Sequence, residues 1–295
     1  MTTRQSEWAA VTVLLLSFQV AQSGIVHAAD ANSAAPAPGQ WTFSFTTYAW
    51  TPWISGDLTI KGRSFDVDIT AGQVLDALDW SGIPAWFSYA EARNGSLTLF
   101  NDIAYAKLAD SKRFAKTGPL GAATLSGNVE ADYEQAIIEF GAAYEIWSGM
   151  NPGVGTAAFD VLAGGRYWHQ DATASADVAL NGNLGLGLEA SRVFARSGSV
   201  DWVDPFIGAR IRQEMAPGQN LTVRGDVGGF DVGSDFTWQV IATYDFQICV
   251  TERYAIDGYL GYRALSVDYS EGSGFNRYEF DALQQGPVMG ATLRF

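Results

Sequence analysis

Between Ser234 and Ile248 apolar and polar side chains alternate with a period of two. Phe236, Trp238, Val240, Ala242, Tyr244, Phe246 and Ile248 fall on one face. Asp235, Thr237, Gln239, Thr243, Asp245 and Gln247 fall on the other, with Ile241 as the exception. An amphipathic helix repeats near 3.6 residues, so this pattern is a strand. The run is longer than the ~5–6 residues of an ordinary strand and is about the length that crosses a bilayer at a tilt. Its apolar face is aromatic near its ends, as in a lipid-facing band between two interfacial girdles.

The pattern recurs. Ala136, Ile138, Phe140, Ala142, Tyr144 and Ile146 oppose Glu139, Gly141 and Glu145; Phe159, Val161, Ala163, Gly165 and Tyr167 oppose Asp160, Gly164 and Arg166; Ile256, Gly258, Leu260 and Tyr262 oppose Asp257, Tyr259, Gly261 and Arg263. Crossings are expected near 41–53, 84–93, 96–108, 129–147, 157–170, 201–213, 220–231, 234–248, 254–269 and 276–295. The fold class is therefore all-β: a closed antiparallel transmembrane β-barrel of about ten strands. Alternatives are twelve strands, with an extra pair drawn from 171–200, or eight. Connections at Asn94-Gly95 (expected as a type I′ turn), 148–155, 215–219 and 250–253 are short and share one side. Those at 54–83, 109–128, 171–200 and 270–275 share the other and are mostly long, the known asymmetry between periplasmic turns and extracellular loops. The first long loop is expected to hold a hairpin around Lys61-Gly62-Arg63 and a short helix over 71–80, with Val74, Leu75 and Leu78 on one face.

The N-terminus reads differently. Arg4, the apolar run from Ala9 to Val20 and the small-residue site Val26-His27-Ala28 fit a secretory signal peptide over 1–28. An Ala/Pro-rich periplasmic linker follows over 29–40, then the barrel domain over 41–295. The net charge of -14 argues against nucleic-acid binding, which needs a basic stripe against phosphates. A single cysteine, Cys249, excludes an internal disulfide framework and a Cys-based zinc site. It lies at a strand end and is expected to pack without reacting.

The last strand places Pro287, Met289, Ala291, Leu293 and Phe295 on one face and Gly286, Val288, Gly290, Thr292 and Arg294 on the other. It resembles the C-terminal strand of Gram-negative outer-membrane β-barrels, whose terminal aromatic is part of a signal read by the barrel assembly machinery. The resemblance implies Phe295 as the assembly signal and periplasmic N- and C-termini. It also implies outer-membrane lipids, including lipopolysaccharide, as surroundings. Pro287 cannot donate a ladder bond, so a bulge is expected there. Trp202-Val203-Asp204-Pro205, Arg224-Gly225-Asp226-Val227-Gly228-Gly229-Phe230 and Gly233-Ser234-Asp235-Phe236-Thr237-Trp238-Gln239 further resemble a group of uncharacterised, porin-like bacterial outer-membrane barrels. That implies fold and location and carries no catalytic residues.

By parity, Glu91, Arg93, Asp102, Glu139, Glu145, Asp160, Arg166, Arg210, Arg212, Arg224, Asp226, Asp245, Asp257, Arg263 and Arg294 point inward. Every basic member is Arg, which pairs with carboxylates through a planar fork. The expectation is an interlocked polar core, since a charge buried alone is costly. A conductive lumen is the alternative and would carry a stretch of one sign. Arg224-Gly225-Asp226 lies within a strand and is not expected to act as an adhesion tripeptide. Asp66, Asp68, Asp76 and Asp79 lack the EF-hand spacing and read as a solvated acidic rim, not a metal site. His169 is expected to face outward beside Trp168 as interfacial residues; a hydrolytic site would have to use it. The expected function is a structural or weakly permeable envelope protein without enzymatic activity, cofactor or metal. The alternatives are a narrow channel for small solutes and a rim-located enzyme acting on lipid or peptide.

Overall fold

The computed structural model describes residues 39–60, 62–117, 123–151, 155–182 and 189–295. The signal peptide and most of the linker lie outside the described residues. The strands are β1 (Trp41–Trp50), β2 (Trp53–Ile60), β3 (Arg63–Ile69), β4 (Ala85–Asn94), β5 (Leu97–Thr117), β6 (Ala123–Asn151), β7 (Gly155–Gly182), β8 (Glu189–Ala216), β9 (Gln219–Gly229), β10 (Phe236–Val250), β11 (Ala255–Glu271) and β12 (Tyr278–Arg294), with a helix α1 (Ala71–Asp76) between β3 and β4. Ten of them form a closed antiparallel barrel. From β4 to β12 each strand pairs with its neighbour in sequence. β1 closes the ring by pairing with both β4 and β12.

β2 continues β1 along the upper half of β12, and β3 folds back on β2 around Gly62 as the sequence predicts. Between β1 and β2 the wall breaks at Thr51-Pro52. The break lies opposite Gly286 and Pro287, and this corrects the expected bulge. β12 keeps an unshifted register with β11 through Pro287, while the missing donor falls where β1 is already interrupted.

Three further expectations change. The loop between β4 and β5 is Gly95-Ser96, not Asn94-Gly95. Gly95 has φ 58° and Ser96 is not at positive φ, the φ signature of a type II′ turn with glycine first. Of the expected loops 109–128 and 171–200, the described residues 109–117, 123–128, 171–182 and 189–200 are strand. The β5–β6 ladder runs on to Thr117 and Thr124, and the β7–β8 ladder to Asn181 and Glu189. These residues lengthen existing strands and supply no extra pair, which removes the twelve-strand alternative. On the opposite flank, β9 and β10 turn back at once through Gly229, Phe230 and Asp231, all at positive φ. The wall is therefore tall on one flank and low on the other.

The helix is shorter than expected. Thr70 caps it reciprocally with Gln73: the Thr70 side chain accepts from the Gln73 N–H at 3.4 Å, and the Gln73 side chain accepts from the Thr70 N–H at 2.9 Å. It buries Val74, while Leu75 is exposed. The chain after it docks on β5: Ala109 N–H donates to Ala77 at 2.7 Å, and Asp79 N–H donates to Lys107 at 2.9 Å. The segment thus completes the wall above β4 and does not enter the lumen.

Candidate functional site: the filled lumen

Alternation along each strand sorts the side chains. Outward, Phe140, Val161, Ile207, Val223, Val240, Leu260 and Met289 are exposed and form an apolar exterior. Trp41, Phe43 and Phe295 stack in sequence at the rim that holds both termini, with centroid separations of 6.4 and 5.9 Å. Phe295 exchanges two backbone hydrogen bonds with Phe43, each 2.9 Å, and so completes the seam.

Inward, charge concentrates around Glu139 on β6. Its carboxylate accepts from Arg166 Nε at 2.9 Å, Arg224 at 2.8 Å, Arg263 at 3.2 Å and the Gln239 amide at 2.9 Å. Those donors come from four other strands. Arg166 also reaches Asp226 at 2.6 Å, and Arg263 reaches Asp102 at 2.8 Å. Glu139, Arg166 and Asp226 have no exposed side-chain surface. The guanidinium carbons sit over rings: Arg224 over Phe100 at 4.8 Å, Arg263 over Trp50 at 4.8 Å and Arg166 over Phe206 at 5.2 Å. Planar cations between carboxylates and aromatic faces satisfy both kinds of contact.

Toward the terminal rim a second network follows. Arg210 pairs with Glu91 and with Asp160, the latter at 2.7 Å. Arg212 pairs with Asp160 at 2.9 Å and Glu145 at 2.7 Å, and Arg93 with Glu145 at 2.5 Å. Arg294 grips Asp257 with two bonds of 2.5 and 2.9 Å. All of the inward set expected from parity thus faces the lumen, and all but Asp245 join these pairs. Between the two networks lies a cavity of about 130 Å³.

Away from the terminal rim the lumen is aromatic. Trp168 stacks on Trp202 at 5.4 Å and Trp202 on Tyr269 at 4.0 Å, within an apolar cluster that includes Ile137, Leu265, Val267 and Phe280. Trp168 corrects the interfacial expectation: it is fully buried inside the barrel, and its neighbour His169 faces out. Parity alone separates the two, because consecutive strand residues point to opposite faces. Asp204 was missed as a lumen residue. It is fully buried and accepts from the Trp202 indole at 3.1 Å and the Ser234 N–H at 2.6 Å. Its parity with Trp202 and Phe206 was the available signal. Cys249 is exposed at a register shift in β10, not packed.

Outside the lumen, His169 Nδ1 lies 2.7 Å from Asp201, which also accepts from the Tyr167 hydroxyl at 2.5 Å. Near the rim opposite the termini, Asp268, Asp281, Asp57 and Asp66 stand directly opposite one another across β11, β12, β2 and β3. The Asp79 carboxyl, in the long loop, is held down to about 2 by hydrogen bonds from Ser81 and then Lys107. Asp66 and Asp79 thus confirm the expected acidic rim only in part, since Asp79 is tied to Lys107.

These features define a closed antiparallel β-barrel with an apolar exterior and an interior filled by side chains. No protein-family model and no curated protein matches the sequence. Among solved structures, the crystal structure of a Pseudomonas aeruginosa FadL homologue aligns at 7% identity with a TM-score of 0.23, over 86% of this chain and 89% of that one.

Proposed function

We propose that the protein is an integral outer-membrane β-barrel of a Gram-negative envelope, with a structural role and no catalytic activity. The apolar exterior, the aromatic rim where Phe43 and Phe295 stack and the short turns on that side support this location. On this reading the termini are periplasmic. The surroundings are outer-membrane lipids including lipopolysaccharide, and the assembly machinery reads Phe295.

One observation carries the view that the barrel does not conduct. Glu139 is bound by three arginines in mid-lumen with no exposed surface. A water-filled pore would leave those side chains wet, and its charges would be of one sign along the path. The refolded protein in a planar bilayer should therefore show no conductance steps. Ion-selective steps would promote the narrow-channel reading. A mature chain folded and monomeric in plain buffer would overturn the membrane location itself.

The outward His169–Asp201 pair favours a second reading, a rim-located enzyme acting on lipid or peptide. Such a site needs a nucleophile or water activated by His169. Lipid or peptide hydrolysis that disappears in His169→Ala would establish it.

A further inference from the structure

We propose that the cavity beneath Glu139 is a binding site for a small alkylammonium ion, with Asp245 as its counter-ion. The inference concerns the lumen alone and holds whichever membrane the barrel occupies.

The first ground is charge pairing. Four carboxylates line the cavity, and three have guanidinium partners: Glu91 with Arg210, Asp102 with Arg263 and Asp257 with Arg294. Among the described residues, Asp245 has no ammonium or guanidinium nitrogen within 4.0 Å. It sits on β10 between Asn220 of β9 and Tyr259 of β11, and its side chain is only partly exposed. A carboxylate in such a place is stabilised by a cation that the chain itself does not supply.

The second ground is the wall around it. Ile241, the one apolar residue on the polar face of its strand, lies four residues from Asp245 on that same face. Val288 faces the same cavity from β12. At ~3.3 Å of rise per residue, Ile241 is about 13 Å up the strand, toward the closed end. The Tyr48 and Tyr259 rings, with centroids 6.1 Å apart, also line it, together with the carboxylate-paired Arg210, Arg212, Arg224, Arg263 and Arg294. A carboxylate at one end and an apolar, aromatic lining toward the other fit an ammonium head with a short alkyl tail. Arg224 and Arg263 at the closed end repel the head, so the tail points inward. A divalent ion would require several unengaged oxygen ligands, whereas the neighbouring carboxylates are held by arginines.

Access is from the terminal rim. Arg166 and Glu139 have no exposed side-chain surface, whereas Arg212 retains 13% and Glu91 21%. Solvent thus reaches the cavity from below and stops at Glu139. The space also suffices: by the same measure a single water needs only ≳10–15 Å³.

The test uses the full chain folded in detergent micelles, titrated with n-butylammonium chloride. Sodium butyrate and potassium chloride at equal ionic strength serve as controls. A ligand that binds only the folded state raises the thermal midpoint with concentration. The proposal expects a saturable rise with butylammonium alone, and at least a tenfold weaker response in Asp245→Asn. Asp245 gives up no ion pair in that variant, so it should fold. If it does not, the 13C carboxyl resonances of aspartate in the unaltered protein replace it, and one of them should move saturably. No rise, an equal rise with potassium, a rise retained in Asp245→Asn, or no saturable carboxyl shift would each overturn the assignment.

Discussion

Arg166 Nε lies 2.9 Å from Glu139 Oε1, and neither side chain retains any exposed surface. Two charges removed so completely from water are tolerable only while each is paired. Breaking such a pair strands the survivor at a cost of about 3–5 kcal/mol. Glu139 holds three guanidiniums, so Glu139→Gln should lose at least that much, measured by urea unfolding of the refolded barrel. The conservative Gln keeps the shape and removes only the charge. A variant as stable as the parent would mean that the cluster is hydrated.

Val240 and Ile248 share the outward face of β10, at 44% and 61% exposure. In a bilayer, Val240→Arg near the middle of the strand should cost about 2–4 kcal/mol, and Ile248→Arg near the rim about 0–1 kcal/mol. Unfolding in lipid vesicles measures both. Equal costs would count against a membrane depth gradient. The neighbouring Gln239 is no mild control, although it faces the lumen. It is fully buried and donates to both Glu139 and Asp226, so Gln239→Arg would overpack a filled site.

Acid should loosen the loop segment that Asp79 ties to β5. Asp79 has a folded-state pKa near 2, below its ordinary 3.8. Its contribution is present above pH 3.8 and is lost as pH falls toward 2. Hydrogen-exchange protection of the Ala109 amide, held by the segment that Asp79 ties down, should fall in that window.

Like charges directly opposite on a sheet are destabilising. Asp281 has Asp268 on one side and Asp57 on the other. Asp281→Asn should therefore raise stability, by about 0.2–1 kcal/mol, and the gain should shrink in high salt. A loss of stability at low salt would show that the row is neutralised in some other way.

Phe295 closes the seam with two backbone bonds to Phe43 and a ring stacked at 5.9 Å. Deleting it removes all three contacts, whereas Phe295→Ala keeps the backbone pair. At ~0.5–1.5 kcal/mol for each hydrogen bond, the deletion should lower the unfolding midpoint more than the alanine variant does. Identical midpoints would mean that the ring alone matters.

The sequence by itself determined the strand count, the wall order and which side chains face inward. All three follow from period-two alternation, which holds wherever one face is apolar and the other polar. It failed where that contrast vanishes. Residues 109–128 and 171–200 read as loops because apolar and polar residues do not alternate cleanly there. It also missed Asp204, which stands among aromatic neighbours where no run of charges draws attention. Which inward charges meet was legible only in part: Glu139 and Arg166 are direct partners on adjacent strands, whereas Arg224 and Arg263 come from β9 and β11 and reach Glu139 only when the barrel closes. The tertiary structure decided that every arginine of the inward set finds a carboxylate and that, among the described residues, Asp245 has no arginine or lysine partner, because the full set of pairs depends on the positions of side chains across the lumen as well as on register between neighbouring strands.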